Sequence, residues 1–323
     1  MKKWAPPLLL IAAFLTSLTV GAAAIDGFWS SLLNPGSNEI LWQIRLPRVT
    51  AAVIVGAALG VAGLLAQGAC NNAVAEPAIL GTAAGASFGA VLAVSSGVVE
   101  VGTLGAIACG TMGALLTTSL TFKLAAIRGA LSSFSLIIVG IAVSAIFTSL
   151  VGIASAVASR ADARSISFWS LGSLALVTSE NLIGIAITTV IGSLIAWRIA
   201  PALDRLSLGD ITAFHLGVNV SRIRLIALIA LSVLAGGAVS TVGSIAFIGL
   251  AAPHIARFVF GPSHRQLVVH SAIIGGLIVV VADTLSRTIA QPNELPIGLA
   301  TALLGAPVLI ALVAFKNNVW RTQ

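Results

Sequence analysis

Long apolar stretches run through almost the whole chain, broken at intervals by charges, proline and glycine. They show no strict alternation of apolar and polar positions, which a closed membrane barrel would require. About 20 apolar residues cross a bilayer as a helix. On that measure the breaks divide the chain into about ten spans, near 6–25, 47–68, 78–98, 102–122, 133–158, 181–200, 222–243, 246–260, 270–289 and 296–315. Backbone groups inside hydrocarbon must pair within their own segment, so these spans are expected to be helices. The pattern therefore predicts an all-α polytopic membrane protein. No polar stretch is long enough to fold separately, so residues 1–323 are read as one transmembrane domain.

Composition agrees. Only 8% of residues are charged and 58% are apolar, against about 25% charged in soluble domains. The net charge of +7 would suggest nucleic acid in a soluble protein. Here it fits the basic bias of cytoplasmic loops instead, and no nucleic-acid partner is expected. Threading ten spans with the N-terminus inside places twelve of the 17 basic residues on the cytoplasmic side and leaves Arg45, Arg48, Arg160, Arg164 and Arg287 outside. Both termini are then cytoplasmic. The first segment, with Lys2, Lys3 and the small run Gly21 to Ala24, also has the form of a cleavable signal. In a chain this hydrophobic, a retained first helix is the expectation. Cys70 is expected in a cytoplasmic loop and Cys109 within a span, so no disulfide is expected.

Several chemistries find no support. None of the four lysines follows a glycine, so the phosphate-cradling loop of an ATPase is missing. His215, His254, His264 and His270 lack cysteine or carboxylate companions at ligand spacing, and no metal site is expected. No serine nucleophile is expected either. A chain without hydrolytic chemistry either moves solute along a coupled gradient or borrows ATP from a partner.

Four segments carry chemistry. At the outer mouth of the second span, Arg45 and Arg48 flank Leu46 and Pro47 and offer fixed positive charge to an anionic partner; the plainer reading is interfacial snorkelling beside Trp42. On the cytoplasmic side, residues 201–221 hold Leu208-Gly209-Asp210 and Leu216-Gly217. Asp210 is expected to N-cap a short helix over 211–216 that Gly217 stops, giving a knob whose apolar side chains suit a partner's groove. Third comes the run from Gly243 through Pro253, His254 and Arg257. Fourth, Asp283 and Arg287 stand four apart on one helix face and can pair, followed by Glu294 and Pro296. An ionisable residue this near the bilayer is a functional candidate; a structural ion pair is the plainer reading. Gly56–Gly60 and Gly85–Gly89 have the small-xxx-small spacing of closely packed membrane helices.

The motifs I-R-L-P-R (44–48), E-P-A-I-L-G-T-A-A-G-A (76–86), F-W-S-L-G-S-L (168–174), L-S-L-G-D (206–210) with A-x-H-L-G (213–217), I-A-F-I-G-L-A-A-P-H-I-A-R (245–257), E-L-P-I-G (294–298) and L-G-A-P (304–307) occur in this order. So arranged, the chain resembles the FecCD-type permeases of binding-protein-dependent ABC importers, over about residues 41–312. The resemblance implies a ten-helix subunit of a bacterial inner membrane, dimerised with an identical or paralogous permease. Two cytoplasmic ATPase subunits would carry ATP and magnesium, this chain binding no cofactor itself. A solute-binding protein would dock outside, on Arg45, Arg48 and Arg287. Leu208, Gly209, Asp210, Leu216 and Gly217 would couple to the ATPase. Gln67, Pro253, His254, Arg257, Asp283, Glu294 and Pro296 would serve structure or gating. The cargo would be a ferric siderophore first, haem or cobalamin next. The stretch Asn71-Asn72-Ala73-Val74-Ala75-Glu76-Pro77 departs from the family's usual R-N-P-L-A-D-P. A different class of mechanism, proton-coupled secondary transport, would instead use Asp283 as the proton carrier and Arg287 to tune it.

Overall fold

The computed structural model describes residues 4–21, 25, 27–100, 102–127, 132–175, 177–289, 293–303 and 305–307. The expected cytoplasmic basic residues Lys2, Lys3, Arg128, Lys316 and Arg321 lie outside that set, as does the end of the tenth expected span. The described elements are helical throughout. In chain order they are α1 (Ala5–Thr19), α2 (Phe28–Leu33), a π-helical turn (Ile40–Arg45) running into α3 (Leu46–Cys70), α4 (Thr82–Ser95), α5 (Leu104–Ala126), α6 (Ser133–Val157), α7 (Arg160–Ser170), α8 (Ser179–Leu206), α9 (Asp210–His215), α10 (Val220–Val242), α11 (Ile248–Phe260) and α12 (His264–Ser286). Among the described residues, six stretches are long and apolar enough to cross a membrane: Ile40–Cys70, α5, α6, α8, α10 and α12. Shorter apolar helices, α1, α4, α11 and the described part of Ile297–Pro307, fall within the remaining expected spans.

The central element is α3. Every residue from Ala58 to Cys70 is buried, because α12, α10, α8 and α11 surround it. Its glycines set the spacing. A Cβ at Gly56 would run into the backbone of Gly275 and Gly276, and one at Gly60 into the carbonyl of Ser271. The two helices thus meet backbone to backbone, antiparallel, with Gly68 beside His264 and Arg48 beside Asp283 at opposite ends. In lipid no hydrophobic effect drives helices together, so such close contact is what dispersion and packing require. A second group, α4 and α5 with α6, joins this core through α10. There Gly85 meets Gly113, and Gly89 meets Cys109 and Gly110.

Several boundaries differ from expectation for local reasons. Cys70 is the last residue of α3 and buried, not a loop residue. Asn71 ends the helix in the left-handed region at φ 42°, a conformation asparagine tolerates better than most residues, while the Asn72 N–H returns to the Gln67 carbonyl. The helix α8 continues through Pro201 to Leu206, so the cytoplasmic loop begins later than the proline suggests. The segment Arg160–Ser170, read as outside loop, is an amphipathic helix. Asp210 does not cap α9. It is the first helical residue after Gly209, which adopts φ 98°, and its carboxylate turns elsewhere.

Candidate functional site

Three clusters place the residues singled out by sequence, one near each end of α3 and one along its inner half. At the outer end stand Arg45, Arg48, Asp283, Arg287 and Glu294. The guanidinium of Arg48 donates through Nε to both oxygens of Asp283, at 3.0 and 3.2 Å. Its other nitrogens reach Asp283 Oδ1 at 2.9 Å and Glu294 Oε1 at 2.8 Å. Arg287 Nε lies 3.3 Å from Asp283 Oδ2, the expected i, i+4 pair. Arg287 also donates to the carbonyls of Ser17 and Val20, and Arg45 to those of Leu18 and Thr19. These carbonyls belong to the C-terminal turn of α1, which has no intrahelical donors for them and carries the negative end of the helix dipole. Two arginines far along the chain complete that helix end.

All three arginines are therefore gathered at one place but turned inward, each below a tenth exposed. The cluster reaches the surface chiefly through Glu294, whose side chain is 38% exposed. Clamped by Arg48 and Arg287, Asp283 fits the ion-pair reading. Pro296 begins the stretch that follows, and Ile297 and Gly298 donate their N–H groups to the carbonyls of Gly172 and Leu171.

Along the inner half of α3, Gln67 meets α11. Proline lacks an N–H, so Pro253 in the interior of α11 leaves the Gly249 carbonyl without its helical donor. Gln67 Nε2 donates to that carbonyl at 3.3 Å. Arg257 closes the arrangement with two bonds to Gln67 Oε1, both 3.1 Å. His254 Nδ1 bonds the Leu250 carbonyl one turn back. Beside these, a cavity of about 40 Å³ is lined by Leu59, Glu76, Ser244, Ile245 and Gly249, room for a water or two. Glu76 accepts from the N–H of Phe247, and burial still pushes its carboxyl above the ordinary range. Phe247 itself sits at φ 68°, an outlier for a bulky residue. Glu76 is a member that the sequence shows only as a motif residue, opening the 76–86 motif and closing the departing loop, with no role attached.

On the cytoplasmic side, α9 forms the expected knob. Ala213 anchors it in the core. Ile211 and Phe214 are 78% and 69% exposed, and Leu208 and Leu216 stand out beside them. Gly217 stops the helix at φ 79°, as expected. The residue missed here is Arg224. It was counted only as one more cytoplasmic charge, yet it is 2% exposed and holds Asp210. Its neighbour Arg222, two positions away and so on another face of α10, is exposed.

Among the described residues, no cluster of histidine, cysteine and carboxylates could hold a metal. One motif does carry the spacing of a serine nucleophile, G-x-S-x-G at Gly85 to Gly89. It lies inside α4, where both glycines are pressed against α5, not on the strand-to-helix turn that chemistry needs.

The sequence profile of the FecCD transport family matches residues 9–315. The chain belongs to this family. The permease is 36% identical to the iron(3+)-hydroxamate import system permease protein FhuB of Bacillus subtilis over 94% of its length and 80% of FhuB. It is 34% identical to the hemin transport system permease protein HmuU of Yersinia pestis, over 95% of its length and 93% of HmuU. Among solved structures it matches an inward-facing metal-chelate type ABC transporter with a TM-score of 0.83 at 28% identity, covering 96% of this chain and 98% of that one. It is thus a multi-pass, inner-membrane permease subunit of an ABC importer.

Proposed function

We propose that the permease carries a ferric siderophore inward by alternating access, beside a second permease that is an identical copy or a paralogue. Two separate ATPase subunits, each binding ATP and magnesium, drive it. The observation that carries this reading is the knob. Four apolar side chains, Leu208, Ile211, Phe214 and Leu216, are exposed on the side that the charge bias makes cytoplasmic. A folded chain leaves such a group uncovered where a partner covers it. Gly209 and Gly217, both at positive φ, fix its two ends.

The outer cluster supports docking of a solute-binding protein in a particular way. The guanidiniums of Arg48 and Arg287 face two carboxylates, Asp283 and Glu294, Arg45 holds the end of α1 beside them, and the cluster is reached past Glu294. An acidic loop of the binding protein would compete with Glu294 for Arg48, so docking would exchange one ion pair for another. Gln67, Gly249 and Arg257 join α3 to α11 and are suited to hold the inner half of the bundle closed between transport steps.

The test is a mild extraction of the tagged permease from its native membrane, with mass spectrometry of the proteins that accompany it. An ATPase subunit is expected, and Leu208→Glu or Phe214→Asp is expected to remove it while the permease still reaches the membrane. A permease that emerges alone, yet moves solute without ATP, would sink the reading.

A further inference from the structure

We propose that Arg224 is the positioning residue that carries displacement of the α9 knob into α3 and α6. This rests on the reading of α9 as the ATPase-docking element and assigns the connection behind it.

The geometry is a four-way joint. From the first turns of α10, the guanidinium sends NH1 to Asp210 Oδ2 at 3.0 Å and NH2 to Asp210 Oδ1 at 2.9 Å. Its Nε donates to the carbonyl of Ala69 at 2.9 Å, and NH2 also reaches Ser133 Oγ at 3.2 Å. One planar group thereby binds the start of α9, the end of α3 and the start of α6. Each bond answers a local need. Ala69 lies in the last turn of α3, where carbonyls lack helical donors. Asp210, freed from capping by Gly209, offers both oxygens to a fork, the arrangement in which arginine and carboxylate are most rigid relative to each other.

A knob tethered only by its flanking loops would move without consequence. This one is tied through a buried guanidinium to a helix that crosses the whole bundle. With 25 residues, α3 is about 37 Å long, and its far end carries Arg48 with Asp283 and Glu294. Tightly packed interiors change arrangement as units and do not deform continuously. A shift of the knob is therefore delivered to the inner ends of α3 and α6 together, and along α3 toward the outer cluster.

Two substitutions remove the fork while keeping the apolar docking face: Asp210→Asn, at a half-exposed side chain, and Arg224→Lys, which keeps the charge. Each is reconstituted with the ATPase subunits and the binding protein in vesicles. Two quantities are read: the ATPase retained on the permease, and the radio-iron ferric hydroxamate moved per ATP hydrolysed. The expected result is retained ATPase with transport per ATP lowered roughly tenfold, the scale of typical coupling between sites. A purely structural cap would lower the amount of assembled complex and leave that ratio unchanged; an unchanged ratio overturns the proposal. If Arg224→Lys fails to reach the membrane, the ratio for Asp210→Asn decides. A wild-type complex that hydrolyses ATP but moves no ferric hydroxamate, haem or cobalamin overturns the importer reading, and the proposed link falls with it.

Discussion

Asp283 shows how much a single side chain holds. It is 1% exposed and lies between Arg48 and Arg287, so removing its charge leaves two guanidiniums buried against one partly exposed carboxylate. Breaking a buried pair costs about 3–5 kcal/mol. Asp283→Asn is therefore expected to lower the thermal midpoint of the extracted permease clearly, and Glu294→Gln much less. Equal midpoints for both variants would contradict the clamp. Glu76 gives a pH effect of definite sign. Burial raises its folded pKa, against the partial help of the Phe247 N–H. Its contribution to stability is thus present below the ordinary glutamate value of about 4.3 and is lost as pH rises through the raised value. The wild-type midpoint should fall across that window, and Glu76→Gln should flatten the fall. Topology placed Arg45, Arg48, Arg287 and Glu294 on the outer side and spacing paired Asp283 with Arg287; that Arg48 closes the cluster on Asp283 and Glu294 was not legible. Nor did the sequence reveal that Arg45 and Arg287 complete the end of α1. That contact joins residues 26 to 270 positions apart, and no local pattern encodes it.

At the scale of elements, long apolar runs made the major spans legible, although α8 runs on to Leu206 and α12 begins already at His264. What they missed has physical causes. The helix α7 is polar enough to read as a loop, and Pro201 lies near a helix end, where the chain continues despite the lost N–H. The knob was legible as a short helix with a glycine stop; the destination of Asp210 was not, since an aspartate beside a helix start reads as a cap. The glycine spacing at Gly56 and Gly60 gave a warning of close packing that only the antiparallel register of α12 makes specific. Gly60→Val should force α3 and α12 apart at the Ser271 carbonyl, an overpacking of about 1–3 kcal/mol, seen as a lower midpoint and poorer membrane yield. Gly152→Val faces open space and should be tolerated. If both behave alike, the register described for α3 and α12 is wrong.

For the whole molecule, the parts line up along one axis. A knob with four exposed apolar side chains faces the cytoplasm. Arg224 joins it to α3, and α3 ends outside in a cluster of arginines and carboxylates. On the function proposed above, separate subunits hydrolyse the ATP and the work enters through the knob. The most direct measurement is uptake of radio-iron ferric hydroxamate into vesicles holding the permease, its ATPase partner and its binding protein, with ATP supplied on the knob side. Accumulation that requires ATP, and that disappears with Phe214→Asp while the permease remains folded, is the predicted result. Uptake that proceeds without ATP, or that ignores the loss of Phe214, would contradict it.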